Sequence, residues 1–307
     1  ELVACVDKMS DKANYLASKF PGAKTFSDWR EIMSNKEIDI IIIATPHMAL
    51  AEITRAAVEV NKHVLVEKPA AKFAHELVEI IKQNKQSKSL VRVGFNHRYH
   101  RAFRQAKKMV NENALGELMF VRARYGHGGR VGYDKEWRAR PEISGGGELI
   151  DQGVHLIDLA RWFLGDFTDI QGHAHTYFWQ MPVDDNGFML LKTPKKQTAF
   201  LHASCTEWKN TFSFEIYGQQ GKIDINGLGG SYGIERLSYY KMSPAMGPPE
   251  TFIWEYPMED DSWEVEFKEF LEDIKHQRQP AAGLHDAYAA LKIVEKIYKD
   301  SGYDSSA

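Results

Sequence analysis

Ile38-Asp39-Ile40-Ile41-Ile42-Ile43-Ala44-Thr45-Pro46-His47 leads into a helix-patterned stretch, Met48–Val60, and then into His63-Val64-Leu65-Val66-Glu67-Lys68-Pro69. Two short apolar runs rich in β-branched residues flank one helical pattern. Strands apolar on both faces and joined by a helix predict a parallel β–α–β unit, covered on both sides. Further strands are expected at Leu2–Val6 and Leu90–Gly94, with a short one at Lys24–Phe26. Helices are expected at Asp11–Lys19, Asp28–Ser34 and His75–Asn84. Ser10 or Asp11 and Ser27 are N-cap signals, and Pro21-Gly22 is a stop. Residues 1–96 therefore read as a doubly wound α/β domain with a parallel sheet.

The pattern changes after Asn96. A helix is expected at His100–Asn113 and a strand at Glu117–Gly126. Pro141–Gly147 reads as a glycine-rich loop, and the helix after it runs to Leu164, stopped by Gly165. From Asp169 to Ile225 come long strands without intervening helices, including Gly187–Thr193, Gln197–Thr206, Phe212–Tyr217 and Lys222–Ile225. Such a series predicts an antiparallel sheet open on one face. Ser243–Pro249 reads as a surface loop, and helices at Trp263–His276 and Leu284–Asp300 close the chain. Residues 97–307 form a second, α+β domain on this reading.

The 307 residues are 43% hydrophobic and carry a formal net charge of −3. That balance gives no global attraction to nucleic acid or to an anionic membrane surface. No apolar run approaches the ~20 residues of a membrane-spanning helix. Cys5 and Cys205 lie in apolar, strand-like runs, so reduced core thiols and a cytoplasmic setting are expected. The chain opens inside a strand pattern, without a methionine or a secretory signal.

The chemistry-bearing residues gather at strand ends and beside one glycine run. In Gly145-Gly146-Gly147-Glu148-Leu149-Ile150-Asp151-Gln152-Gly153-Val154-His155, Asp151 and His155 stand four apart, on one face of a regular helix. A carboxylate beside an imidazole can move a proton near neutral pH. Lys68 ends a buried strand, where an ammonium needs a partner or stabilises a developing alkoxide. Asp7 ends the first strand, where an acid can bind adenosine ribose hydroxyls and favour NAD over NADP. The turn Ala44-Thr45-Pro46-His47 opens into the crevice at a strand's carboxyl end. Asn96 and Arg98 stand at the domain junction, where ligands bind and where inter-domain hydrogen bonds also form. Tyr125, Trp137, Arg138 and Trp179 suit a polyol or sugar pocket. Asp158 and Arg161 read as a helix ion pair. His173 and His175 share a strand face with no further ligands nearby, so no metal is expected.

In this order, Asp7, Ala44-Thr45-Pro46, Glu67-Lys68-Pro69, Gly94-Phe95-Asn96-His97-Arg98 and Gly145–His155 together resemble the glucose–fructose oxidoreductase/inositol dehydrogenase (Gfo/Idh/MocA) family, over nearly all of the chain. The resemblance implies a Rossmann domain followed by a domain with a large open, mostly antiparallel sheet. It implies NAD(P)-dependent hydride transfer at a hydroxyl or keto carbon of a sugar, sugar nucleotide or cyclitol, in a homo-oligomer (a dimer or tetramer) built through that sheet. Lys68, Asp151 and His155 would be catalytic, with His155 taking the hydroxyl proton, Lys68 stabilising the oxyanion and Asp151 orienting them. Asp7, Thr45, Pro46, His47, Glu67, Lys68 and Asn96 would lie along the cofactor. Lys68, Arg98, Tyr125, Trp137, Arg138, Asp151 and His155 would meet the substrate. An NAD-recycling glycoside hydrolase or epimerase-like enzyme would use the same residues, and a non-catalytic nucleotide- or protein-binding member is a further alternative. The family's first strand and its G-x-G-x-x-G turn have no counterpart, because Leu2–Asp7 corresponds to the second strand. A unit of about 30 residues is expected to be missing ahead of it. The family's proline soon after the arginine is also lacking in Tyr99-His100-Arg101.

Overall fold

The computed structural model describes residues 1–303. The N-terminal part is parallel, as expected, but its strands form two pieces. Ala4–Val6 pairs with Lys24–Phe26. Ile40–Ile43, His63–Glu67 and Val91–Gly94 form a separate three-stranded sheet, in that order. Helices Ser10–Ala17, His47–Glu59 and Ala74–Asn84 supply the covering layers. Alternation along Ile40–Ile43 buries Ile41 and Ile43, whereas Ile42 is 57% exposed. Cys5 and Cys205 are buried free thiols.

The second part is built on one eight-stranded sheet. Its spatial order is Glu250–Tyr256, Glu235–Lys241, Gly221–Asn226, Thr211–Gly218, Leu118–Gly126, Thr198–Ser204, Asn186–Lys192 and Asp169–His175. Two features depart from the sequence reading. First, Leu118–Gly126 pairs in parallel with Thr198–Ser204, where the series of strands alone predicted antiparallel pairing; the other pairs are antiparallel, so the sheet is mostly antiparallel, as the resemblance implied. Second, the two strands on either side of the Ser243–Pro249 loop were not anticipated. Glu250–Tyr256 is an edge strand with little burial and carries only half of an alternating signal. One face of the sheet packs on helices Arg101–Asn111 and Val154–Leu164. The other leaves Leu190, Phe200 and Phe120 largely uncovered.

The chain's end returns to its beginning. The Val93 N–H donates to the Ala282 carbonyl at 2.9 Å. The Ala74 N–H donates to Glu295 Oε1 at 2.7 Å, from helix Leu284–Asp300. Buried Arg92 pairs with Asp273 of helix Ser262–His276. The parallel-sheet part and the two C-terminal helices are thereby tied together.

Candidate active site

The glycine run lets backbone meet backbone. A Cβ on Gly147 would lie 1.9 Å from the Asp184 carbonyl oxygen, so only glycine fits there. The close approach allows Asp184 to hold the start of the helix that follows. Its carboxylate accepts from the N–H groups of Gly147 (2.9 Å) and Leu149 (2.7 Å), and from the Tyr298 hydroxyl (2.6 Å). A carboxylate at this position also complements the positive end of the helix dipole. The run before it is not all loop, because Pro141–Ser144 forms one helical turn with proline in its first turn.

Asp151 and His155 do not share a regular helical face. Leu149–Gly153 is a π-helical segment, and the α-helix begins at Val154. The wider turn aims the two side chains at different partners. Asp151 is clamped between two cations. Its Oδ1 accepts from Lys68 Nζ at 2.5 Å and its Oδ2 from Arg138 Nε at 2.8 Å. Lys68 Nζ also donates to the Asp151 backbone carbonyl, at 2.5 Å. Burial pushes the Asp151 carboxyl up, but Lys68 and Arg138 outweigh it and hold the group far below the usual carboxylate range. Asp151 is thus a fixed anion and no proton acceptor.

His155 sits in an aromatic enclosure. The His97 ring stacks on it with centroids 3.7 Å apart and planes 17° from parallel, and Phe95 and Tyr125 stand edge-on. His155 Nδ1 is buried without a hydrogen-bond partner among the described residues. Burial and the nearby Lys68 hold His155 well below its ordinary pKa, so the ring is neutral at pH 7.

Other expected site residues fall into two groups. His47 is buried, donates its Nδ1–H to the Ser144 carbonyl (2.8 Å), and is pushed down to about 4 by burial. Its ring meets Trp137 edge-on, and Trp137 lies under the Arg138 guanidinium. Trp179 packs on Tyr133, with Nε1 on the Cys205 carbonyl. Ala44, Thr45 and Pro46 are exposed at the strand end.

Arg98 is different. It is buried, with Nε donating to Asp158 at 2.8 Å, Nη1 to the Ala281 carbonyl at 2.7 Å and Nη2 close to Asp286 at 3.2 Å. Its donors are committed to the fold, so Arg98 is a junction strut rather than a substrate ligand. Asp158 consequently pairs with Arg98 and not with Arg161, which pairs with Asp166 and Asp286. Both ends of the Asn96 amide are likewise used, on Ser262 Oγ and His97 Nδ1 (each 3.0 Å), so its side chain does not reach toward a cofactor.

Four residues escaped the sequence reading. Glu148 is buried, with His127 Nε2 at 3.6 Å and the Tyr133 hydroxyl at 3.3 Å. Its position one turn before Asp151 was the available signal. Tyr232 meets Tyr125 edge-on, projecting from a loop whose Gly227, Gly229, Gly230 and Gly233 all have positive φ. That glycine density marks a tight loop in the sequence but does not say where its tyrosine points. A separate surface cavity of about 610 Å³, lined by Ser34, Asp39, Lys62 and Ile274 among others, opens at the amino ends of the parallel strands and shares none of these groups.

The crest of the parallel sheet suits a dinucleotide. Exposed Ala44, Thr45, Pro46 and Met48 follow the end of strand Ile40–Ile43, which pairs in parallel with the strand His63–Glu67 that leads to Lys68. Asp7 spends Oδ1 on the Met9 N–H (2.8 Å), while Oδ2 has no hydrogen-bond partner among the described residues. A flat ring and a ribose diol match that uncovered apolar strand end and free carboxylate oxygen.

Residues 1–95 match the model of the oxidoreductase family with an NAD-binding Rossmann fold, and residues 103–224 match the GFO/IDH/MocA C-terminal domain. The chain belongs to this family. Levoglucosan dehydrogenase of Pseudarthrobacter phenanthrenivorans is 32% identical over 179 residues, covering 58% of this chain and 46% of that protein. The chain thus matches about half the length of that relative. Inositol 2-dehydrogenase of Salmonella typhimurium is 23% identical over 97% of this chain and 86% of its own length. The structure of levoglucosan dehydrogenase in complex with NADH and levoglucosan superposes with a TM-score of 0.86 at 24% identity, covering 97% and 89% of the two chains. That likeness establishes the shared fold.

Proposed function

We propose that this protein is an NAD-dependent dehydrogenase acting on a secondary hydroxyl of a neutral sugar or cyclitol. The observation that carries the reading is the neutral, buried His155 beside a lysine fixed on Asp151. Bound nicotinamide supplies the hydride acceptor. His155 takes the hydroxyl proton, and the Lys68 ammonium stabilises the developing oxyanion. Asp151 positions Lys68 and Arg138, while Tyr125, Trp137 and Arg138 form the wall that meets the substrate ring. Asp7 holds the adenosine ribose and favours NAD over NADP, with Thr45, Pro46 and Glu67 along the cofactor. We assign residues 1–96 to cofactor binding and 97–307 to substrate binding and self-association. The uncovered apolar sheet face supports a homo-oligomer, and the two free thiols support a cytoplasmic setting.

The test is NADH formation with a panel of cyclitols, hexoses and anhydrosugars, on the wild type and on His155→Ala. Turnover that disappears in the variant while NADH binding persists supports the assignment. Near-normal turnover in His155→Ala refutes it.

A further inference from the structure

A general base is ordinarily aimed by a hydrogen bond to its second nitrogen. His155 lacks that bond among the described residues, since its Nδ1 is sealed from solvent without a partner there. What holds the ring is the face of His97, stacked at 3.7 Å, with Phe95 and Tyr125 at its edges. The stack is itself anchored. Asn96 Nδ2 donates to Ser262 Oγ at 3.0 Å, which leaves Asn96 Oδ1 to accept from His97 Nδ1–H at 3.0 Å. His97 is therefore neutral with its proton on Nδ1, and its Nε2 is buried without a partner. Beyond it, His100 meets His97 edge-on at 5.5 Å and is held by Glu235 at 3.1 Å, with Asp260 at 3.7 Å.

We infer that His97 is a positioning residue for the base: its neutral ring face fixes the orientation of His155 and stabilises the imidazolium that forms when His155 takes the substrate proton. The inference rests on the assignment of His155 as that base. A cation over an aromatic face is stabilised most when both are desolvated, and both rings are buried. The other charged and titratable groups facing the pair are Lys68 and Asp151 on the His155 side, Tyr125 at the edge, and His100 with Glu235 and Asp260 behind His97. None of them stacks face-on with His155.

The test compares His97→Phe with His97→Leu. Both lose the bond to Asn96 and both keep the site apolar, but only phenylalanine keeps the aromatic face. His97→Leu is expected to lower kcat roughly 3- to 30-fold, with KM for NAD unchanged, and to move the acid limb of kcat/KM to lower pH. His97→Phe should remain within about threefold of wild type. Melting temperatures of the two variants show whether either has lost its fold. Equal behaviour of the two variants, whether both active or both impaired, overturns the inference. His155→Ala run in parallel separates the readings: if it retains turnover, the base assignment fails rather than the role of His97.

Discussion

Gly147→Ala tests whether the site depends on the backbone junction under its helix. The new Cβ would stand 1.9 Å from the Asp184 carbonyl oxygen, a backbone atom that no rotamer change can remove. Reaching 3.0 Å, the shortest approach real Cβ atoms make, takes a separation of 1.1 Å (3.0 − 1.9). That opening stretches three bonds: Gly147 N–H to Asp184 Oδ1 (2.9 Å), Leu149 N–H to Oδ2 (2.7 Å) and Glu148 N–H to the Asp184 carbonyl (3.0 Å). Two of the three involve a buried carboxylate, and such bonds contribute about 1.5–3 kcal/mol each. Losing the two carboxylate bonds would cost about 3–6 kcal/mol, or a fall in Tm of roughly 5–9 °C for a chain of this size. The displaced segment carries Asp151 and His155, so kcat should fall about 100-fold, as expected for a 1 Å misplacement of reacting groups. Gly247→Ala, with nothing within 4 Å of its added Cβ, is the matched control. Thermal melts and steady-state kinetics on both variants decide the matter. A Gly147→Ala protein that melts and turns over like Gly247→Ala would refute the reasoning.

Three further outcomes follow from the buried charges. Because burial and Lys68 hold His155 well below 6.5, its neutral form is already complete at that pH. As pH rises, kcat/KM should reach its plateau below 6.5, and an acid limb centred above 7 would contradict the assignment. Arg98→Met leaves Asp158 buried without its cation, which should cost about 3–5 kcal/mol in a thermal or urea melt while sugar KM stays unchanged. A raised KM at unchanged stability would return Arg98 to the substrate site. Glu266 is buried with Oε1 unpartnered, and burial raises its pKa from 4.5 to about 8. The folded form then keeps a proton that the unfolded chain releases, so stability is greatest below 4.5 and declines as pH rises toward 8. Glu266→Gln should match wild type near pH 4.5 and exceed it by on the order of 5 kcal/mol at pH 9, read from urea midpoints. Equal stabilities at both pH values would refute the buried-acid reading.

The parallel strands and their helices were legible because four isoleucines in a row, or Val64-Leu65-Val66, read as short strands apolar on both faces, although Ile42 is in fact exposed. Lys68 was legible for a related reason, since a lysine ending such a strand requires a partner. Periodicity could not show the π turn. It follows directly on the contact of Gly147 with Asp184, 37 positions away in sequence, and in it Asp151 pairs with Lys68 rather than with His155. The destination of Arg98 was equally hidden. Its partners Asp158 and Asp286 come from two later helices, so a junction arginine that reads as a ligand is consumed by the fold. Edge strand Glu250–Tyr256 escaped because it buries little and leaves only a weak alternation.

The charges of the site divide its labour. Asp151 accepts from two cations and cannot bind a proton near neutral pH, which is consistent with the proposal of His155 as the base. What Asp151 does is set the direction of Lys68. An ammonium has three N–H bonds. Two of them are directed at Asp151, one at its carboxylate and one at its backbone carbonyl, both at 2.5 Å. With two of its three directions fixed, the third is determined by tetrahedral geometry, and no acceptor among the described residues takes it. On the proposed mechanism, that remaining N–H would be the donor to a substrate oxygen, aimed before the substrate arrives. The π turn makes this possible, because it brings the carbonyl and the carboxylate of one residue to the same ammonium while leaving His155 free to stack on His97.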